Sequence, residues 1–217
     1  RNGADTITIQ GDATNGGRIG GNVILSKFPI VDSSFHRYEN RHGDNPEGFV
    51  TADILVGKDT VRIFATHLQS FSFKSKDYSD LRKIDHSDDP GFTASRNIFY
   101  KMRTAFQARA SQARELAAMA ERSPYPHIVC VDMNDVPNSY AYFTVRGTMH
   151  DAFLDKGAGL GKSFHSGNSR LLDWLPTLRI DYIMASPEFR TSGYAQVNRK
   201  LSDHRALIAD LEWVKRN

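Results

Sequence analysis

VCVDMNDVPNSYAYF, residues 129–143, opens as an apolar run and then places Asp132, Asn134 and Asp135 within four positions, just before Pro137. The apolar start reads as a strand entering the interior. An acid and an amide at the mouth of such a strand carry a desolvation cost unless they are paired or bound to a metal. Side chains two apart on a strand share a face. Strand geometry continued through Asn134 therefore aims it and Asp132 the same way, with Met133 opposite. Pro137-Asn138-Ser139 reads as a helix start, with Asp135 and Asn138 shaping the turn, and SYAYFTVRG as a short helix closed by Gly147.

The flanks supply the rest of the fold. Apolar positions at Ile98, Met102, Ala105, Phe106, Ala113, Leu116, Ala117 and Ala120 predict a helix from about Ser95 to Arg122, ended by Pro124 and Pro126. Its basic residues Arg96, Lys101, Arg103, Arg109, Arg114 and Arg122 read either as a solvated outer face or as a phosphate-contacting face. FVTADILVG (49–57) and TVRIFATHL (60–68) are β-rich runs joined at Gly57-Lys58-Asp59, a hairpin signature. Residues 1–20 predict an edge strand at TITIQ and then a loop, and NVILS (22–26) a strand stopped by Pro29. Residues 69–92 and 155–177 read as loops. RIDYIMAS (179–186), GYAQV (193–197) and ALIADLEWV (206–214) read as strands. Hairpin-linked strands interrupted by one long helix predict layered α and β structure with a mixed sheet, not simple βαβ alternation.

The 217 residues read as a single domain over 1–217, and a hydrophobic share of 40% is enough for a sizeable core. The net charge of +3 suits a phosphate-bearing substrate without requiring one. Cys130 is the only cysteine, so no internal disulfide forms. It lies inside the apolar run and reads as a small buried hydrophobe, not a nucleophile. No run reaches the ~18 apolar residues of a membrane span. The Cys/His ligands of a zinc site and a P-loop with its Lys-Ser/Thr pair are both missing from the sequence.

Polar residues meet strand ends at four places: Thr66-His67 after VRIFA, Asp132-Met133-Asn134 after IVCV, Asp181 within RIDYIM, and Ser202-Asp203-His204 before ALIADL. Each alone has a structural reading as a turn, a cap or a hydrogen-bonded interior group. Together they form a coherent chemical set. The hard carboxylates Asp132 and Asp203 suit Mg²⁺ or Mn²⁺, which prefer oxygen ligands. His204 can exchange protons near neutral pH. Asn134 can position a nucleophile or donate to a phosphoryl oxygen, and His67 can donate to a developing negative oxygen.

In order along the chain, GGNVILSKFPI, ATHLQS, VDMNDVPNS, RIDYIMAS and LSDHRAL resemble the endonuclease/exonuclease/phosphatase superfamily. HLQSFSF, SPYPHIVCVDMNDVPNSYAY and GKSF…LRIDYI are especially similar to a bacterial branch in which the catalytic domain follows N-terminal membrane helices. The resemblance implies a four-layer α/β sandwich of two mixed β-sheets packed face to face, with helices outside. It implies hydrolysis of phosphate esters, mostly diesters, with Mg²⁺ (or Mn²⁺). Carried over, Asp132 is the acid that orients or deprotonates the attacking water, and Asn134 its partner on phosphate or metal. Asp203 is a metal-side carboxylate or the acid that polarises the histidine. His204 is the phosphate-contacting histidine, His67 the transition-state donor, and Asp181 a supporting residue. The implied metal set is Asp132, Asn134 and Asp203.

Two departures stand out. Val131 and Met133 occupy positions where the family has Gly and an aromatic, which bears on packing more than on chemistry. The family's early strand with a metal-site Asn, and its following strand ending in a metal-binding Gln-Glu, have no counterpart. The first Glu here is Glu39, in YENRHGD, with no apolar strand before it. The resemblance therefore implies a domain that begins after those strands, with an unpaired sheet edge, impaired activity in this chain, and a membrane tether further upstream. The expected partner is a phosphodiester: nucleic acid, a lipid headgroup or a small phosphate ester. The alternative is a non-catalytic module on the same fold that binds nucleic acid or phospholipid headgroups.

Overall fold

The computed structural model describes residues 6–14, 18–39, 48–71, 92–165, 178–199 and 201–214. Its strands are β1 Thr6–Thr14, β2 Arg18–Ser26, β3 Ile30–Arg37, β4 Gly48–Val56, β5 Asp59–His67, β6 His127–Asp132, β7 His150–Asp151, β8 Asp181–Ala185, β9 Phe189–Gln196 and β10 Leu207–Trp213. The helices are α1 Phe92–Glu121, α2 Tyr140–Arg146 and α3 Ala152–Lys156.

Six strands form one mixed sheet in the order β3-β4-β5-β6-β8-β7, while β1 pairs with β2 and β9 with β10. The chain thus folds as the layered α/β sandwich expected from the sequence. Among the described residues its second sheet layer consists of the two antiparallel pairs. The β4–β5 hairpin is the most local element. Val56 faces Asp59 across it, leaving Gly57-Lys58 as a two-residue loop. Gly57 takes φ +68°, which suits the first central position of a type II′ turn and needs no Cβ to be accommodated. Asp53 and Arg62 are register partners, and the guanidinium grips the carboxylate through two bonds of 2.6 and 2.7 Å.

The step from β5 to β6 is parallel, so it needs a crossover, and α1 provides it. The helix buries Ala113, Leu116 and Ala120 against Phe64 of β5, Val129 and Val131 of β6 and Met184 of β8. α2 adds Ala141, Tyr142 and Val145 to the same cluster. Ser139 caps α2 by accepting from the Tyr142 N–H at 3.1 Å, and Gly147 at φ +45° ends it, both as the sequence predicts. The opposite sheet face packs on the hairpins. Val50, Ala52 and Ile54 meet Ile24 of β2, and Val61 and Ala185 meet Phe189 of β9.

Several elements differ from expectation. The loop foreseen after TITIQ is strand: β1 and β2 pair in unbroken register from Thr6↔Ser26 to Thr14↔Arg18. Hairpin pairing outweighs the weak β preference of Gly and Asn there. β3 was missed because its burial follows no period of two and most of its residues are exposed, as suits an edge strand. The short β7 and α3 lie where only loop or no element was expected. The long loop expected at 69–92 lies mostly outside the described residues, as does 166–177. Among the described residues no helix is long and apolar enough to cross a membrane.

Cys130 sits on β6 as expected but is half-buried, not fully buried as the sequence predicts, and desolvation pushes its thiol up to about 11. Since the thiolate is the reactive form, iodoacetamide at pH 8 is expected to leave Cys130 unmodified in the folded chain and to alkylate it fully in denaturant. Intact-mass measurement checks this, and rapid labelling of the folded chain would contradict it.

Candidate active site

Sheet register builds the centre of the site. His67 ends β5 opposite Asp132, which ends β6, and Asp132 in turn faces Asp181, which begins β8. Three polar side chains therefore stand in one row on adjacent strands, a strand spacing apart. Two backbone bonds fix the row's rim. Leu68 N–H donates to Asp132 O and Met133 N–H to Ile180 O, both at 2.8 Å.

His204 enters from the segment before β10. A backbone bridge joins it to Phe164, whose ring lies 5.0 Å from the imidazole. Ser163 ties this segment to the sheet. Its fully buried Oγ accepts from the Ile180 and Asp181 N–H groups at 3.0 and 3.1 Å, and its carbonyl accepts from Arg205 N–H at 2.8 Å. One residue thus sets the relative position of Asp181 and His204. Sequence reasoning passed over it inside a Gly- and Ser-rich stretch, although GKSF was noted as a motif.

The imidazole of His204 turns Nδ1 toward Asp181, 3.1 and 3.0 Å from its two oxygens. Its Nε2 faces Asp132 Oδ2 at 3.8 Å. The bond to Asp181 fixes Nδ1 as the donor and raises the His204 pKa, against the opposing effect of burial. The Asp132 carboxyl also lies above the usual carboxylate range, chiefly because it is buried and then because Asp181 is close.

Asn134 reaches the same pocket, but not by the strand geometry expected. β6 ends at Asp132, and Asn134 takes φ +51° in a tight turn while Met133 is buried in the core. Asn is among the few residues that tolerate this left-handed conformation. Its N–H donates back to Asp132 Oδ1 at 2.9 Å. Its Nδ2 donates to Leu68 O at 2.9 Å and lies 3.0 Å from His67 Nε2. With Nδ2 as the donor, His67 Nε2 is the acceptor here. Donation from that nitrogen, the role foreseen for His67, requires a proton on it and loss of the Asn134 bond. Nε2 also lies 3.7 Å from Asp132 Oδ2.

Asp203 stands apart from this group. It is exposed, accepts from Ser202 Oγ at 3.0 Å, and contributes its carbonyl to His165 N–H. Of the two roles open to it, polarising the histidine falls to Asp181 instead. Asp132, Asp181 and His204 form a cluster that could hold a metal ion, with donor atoms all within 4.8 Å of one another. Two carboxylates and one imidazole, half-buried, fit a hard divalent cation. A positive charge between them would also offset the repulsion that raises the Asp132 pKa.

Two buried ion pairs underlie the site. Asp151, 1% exposed, accepts from Arg179 Nη1 at 2.7 Å, Tyr142 Oη at 2.8 Å and Phe153 N–H at 3.0 Å. The Arg179 guanidinium lies against the rings of Phe153 and Tyr182, at 4.6 and 4.7 Å. The second pair joins Arg109 to Asp135 at 3.1 Å. Arg109 is fully buried, so it belongs to neither the solvated nor the phosphate-contacting face considered for α1. Asp135 shapes its turn as foreseen, accepting from Val136 N–H at 3.0 Å, and has this buried partner besides.

The chain combines a layered α/β sandwich with a carboxylate–histidine cluster at its strand ends. The family model for the endonuclease/exonuclease/phosphatase family matches residues 3–204, and the chain belongs to that family. Enzymes of the family hydrolyse phosphate esters and generally use divalent metals. Solved structures agree in fold. An endonuclease/exonuclease/phosphatase from Beutenbergia cavernae DSM 12333 superposes with a TM-score of 0.63 at 20% identity, over 94% of this chain and 51% of its own. The chain thus spans about half the length of that protein. A mannosyl-6-phosphatase from Bacteroides thetaiotaomicron VPI-5482 gives 0.60 at 16% identity, over 95% of this chain and 77% of its own. Sphingomyelinase C from Streptomyces griseocarneus gives 0.51 at 19% identity, over 88% and 64%. No curated protein matches the sequence.

Proposed function

We propose that the protein hydrolyses phosphodiesters with Mg²⁺ or Mn²⁺. The observation that carries this is the row His67, Asp132 and Asp181 on adjacent strand ends, closed by His204 bonded through Nδ1 to Asp181. The carboxylates of Asp132 and Asp181 would hold the cation, with Asn134 adjoining them and His204 beside them. A divalent cation at such a site neutralises charge on the phosphoryl group and lowers the pKa of bound water. Asp132, which faces both imidazoles, would orient an attacking water. Protonated His204, with Nδ1 held by Asp181, presents Nε2–H to a phosphoryl oxygen. Asn134 and His67 line the same edge and orient the ester.

Neighbours named for a sugar phosphatase and a sphingomyelinase support phosphoester chemistry without fixing the alcohol. We take the diester reading from the motif set. The Asn and Glu metal motifs of the family are not found in residues 1–217, so slow turnover is expected of this chain. Its hydrolysis of bis-para-nitrophenyl phosphate is expected to require Mg²⁺ or Mn²⁺, to stop with EDTA, and to exceed that of the monoester para-nitrophenyl phosphate. Diesters of DNA, RNA and lipids then rank the alcohols. Tight binding of these ligands without turnover would instead support a non-catalytic module.

A further inference from the structure

The two loops that bring His67 and Asn134 together are both anchored to the same face of α1. Arg109 and Gln112 lie three residues apart on that helix, which puts them on one face, and both are fully buried. Gln112 Oε1 accepts from Gln69 N–H at 2.8 Å, and Arg109 Nη1 donates to Gln69 O at 2.8 Å. Both backbone groups of Gln69, two residues after His67, are thus held by α1. Arg109 Nε donates to Asp135 Oδ2 at 3.1 Å, and Asp135 directly follows the left-handed Asn134. The guanidinium is wedged between Phe71 and Phe106, 4.5 and 4.7 Å from their ring centres, which fixes its plane. Neither side chain reaches the pocket.

We infer that Arg109 and Gln112 are positioning residues: a clamp on α1 that sets the spacing of His67 and Asn134, and through them the orientation of the bound phosphoester. The loop after β5 and the turn after β6 meet directly through Leu68 N–H to Asp132 O and Asn134 Nδ2 to Leu68 O. The left-handed backbone at Asn134 is a conformation that persists only where its surroundings hold it, and the Asp135–Arg109 bond is one such hold. Misplacement of a reacting group by about 1 Å can cost on the order of 100-fold in rate. The catalytic consequence rests on the hydrolase reading; the geometric consequence does not.

The test uses Gln112→Met, which keeps the volume and removes the acceptor, Gln112→Glu, which restores an oxygen acceptor, and Arg109→Lys. In metal-free protein at fixed pH, Gln112→Met is expected to move the Asn134 side-chain amide resonances toward free-amide positions. It should also speed exchange of the Leu68 and Gln69 amides by at least about tenfold, with core amides of β6 unaffected. Gln112→Glu should return both signals toward wild type. Arg109→Lys should shift the Asn134 resonances too, since one ammonium cannot reproduce the guanidinium's bonds to both loops. In the assay, kcat should fall roughly 10- to 100-fold with KM within about threefold. Adding Gln112→Met to Asn134→Ala should cost less than the two separate losses combined, because the clamp acts in part through that side chain. Unmoved Asn134 resonances in folded Gln112→Met and Arg109→Lys would overturn the inference. So would a kcat loss that adds in full to that of Asn134→Ala. If the wild-type protein proves inactive on every ester, the hydrolase reading fails, and the resonance and exchange measurements still decide whether the clamp exists.

Discussion

Asp132→Ala and His204→Ala are each expected to lower kcat/KM on a phosphodiester by about 10³-fold, the middle of the range for loss of a positioned acid or base. The expectation rests on two distances. Asp132 Oδ2 lies 3.7 Å from His67 Nε2 and 3.8 Å from His204 Nε2, so among the described residues it is the one carboxylate facing both imidazoles. Removing it leaves the backbone N–H of Asn134 without its Oδ1 acceptor as well, so some of the loss should come from a loosened turn. The structure also ranks two acids that the sequence left unranked. Asp181→Asn takes the charge from the His204 partner and should cost far more than Asp203→Asn, whose side chain is exposed and bonded to Ser202. Steady-state kinetics decide this. Either alanine variant within about threefold of wild type would refute the assignment, and equal losses at Asp181 and Asp203 would refute the ranking.

The largest expected loss of stability lies at Arg179. Arg179→Met removes the guanidinium from a carboxylate that is 1% exposed and cannot recover water. Leaving one partner of a buried ion pair uncompensated costs about 3–5 kcal/mol. The bonds from Tyr142 Oη and Phe153 N–H stay on Asp151, so the lower end of that range is expected. The double variant Asp151→Asn, Arg179→Met removes both charges and should recover part of the loss. Urea unfolding followed by circular dichroism measures both. A loss below about 1 kcal/mol in the single variant would refute this expectation.

Which parts of this were legible in the sequence follows from how local their causes are. The β4–β5 hairpin rests on Gly57, and α2 on Ser139 and Gly147, all signals read within a few residues. The spacing of Ala113, Leu116 and Ala120 marked α1 for the same reason. The pairing of β1 with β2 and the exposed edge strand β3 were hidden because partner strands, not their own pattern, determine them. At the site, four polar strand ends could be singled out because together they are hard to explain as turns. Their mutual contacts could not be read. The Asp181–His204 bond and the Ser163 anchor join segments far apart in sequence. Arg109 looked like one more cation on a basic helix, since periodicity does not show which long side chain turns inward. Asn134 reached the expected pocket through a left-handed turn, not through the pleat of β6.

The alignment of His67, Asp132 and Asp181 across β5, β6 and β8 makes the chemistry depend on strand register. A one-residue insertion or deletion inside any of these strands would send its polar end to the helix-facing side and put an apolar neighbour in its place. Length variation in this protein is therefore admissible at the far end of the sheet, as at Gly57-Lys58, and inadmissible within those three strands. An engineer adding a tag or a sensor domain has the opposite end of the β4–β5 hairpin to work with, where the chain can lengthen without re-indexing the active row.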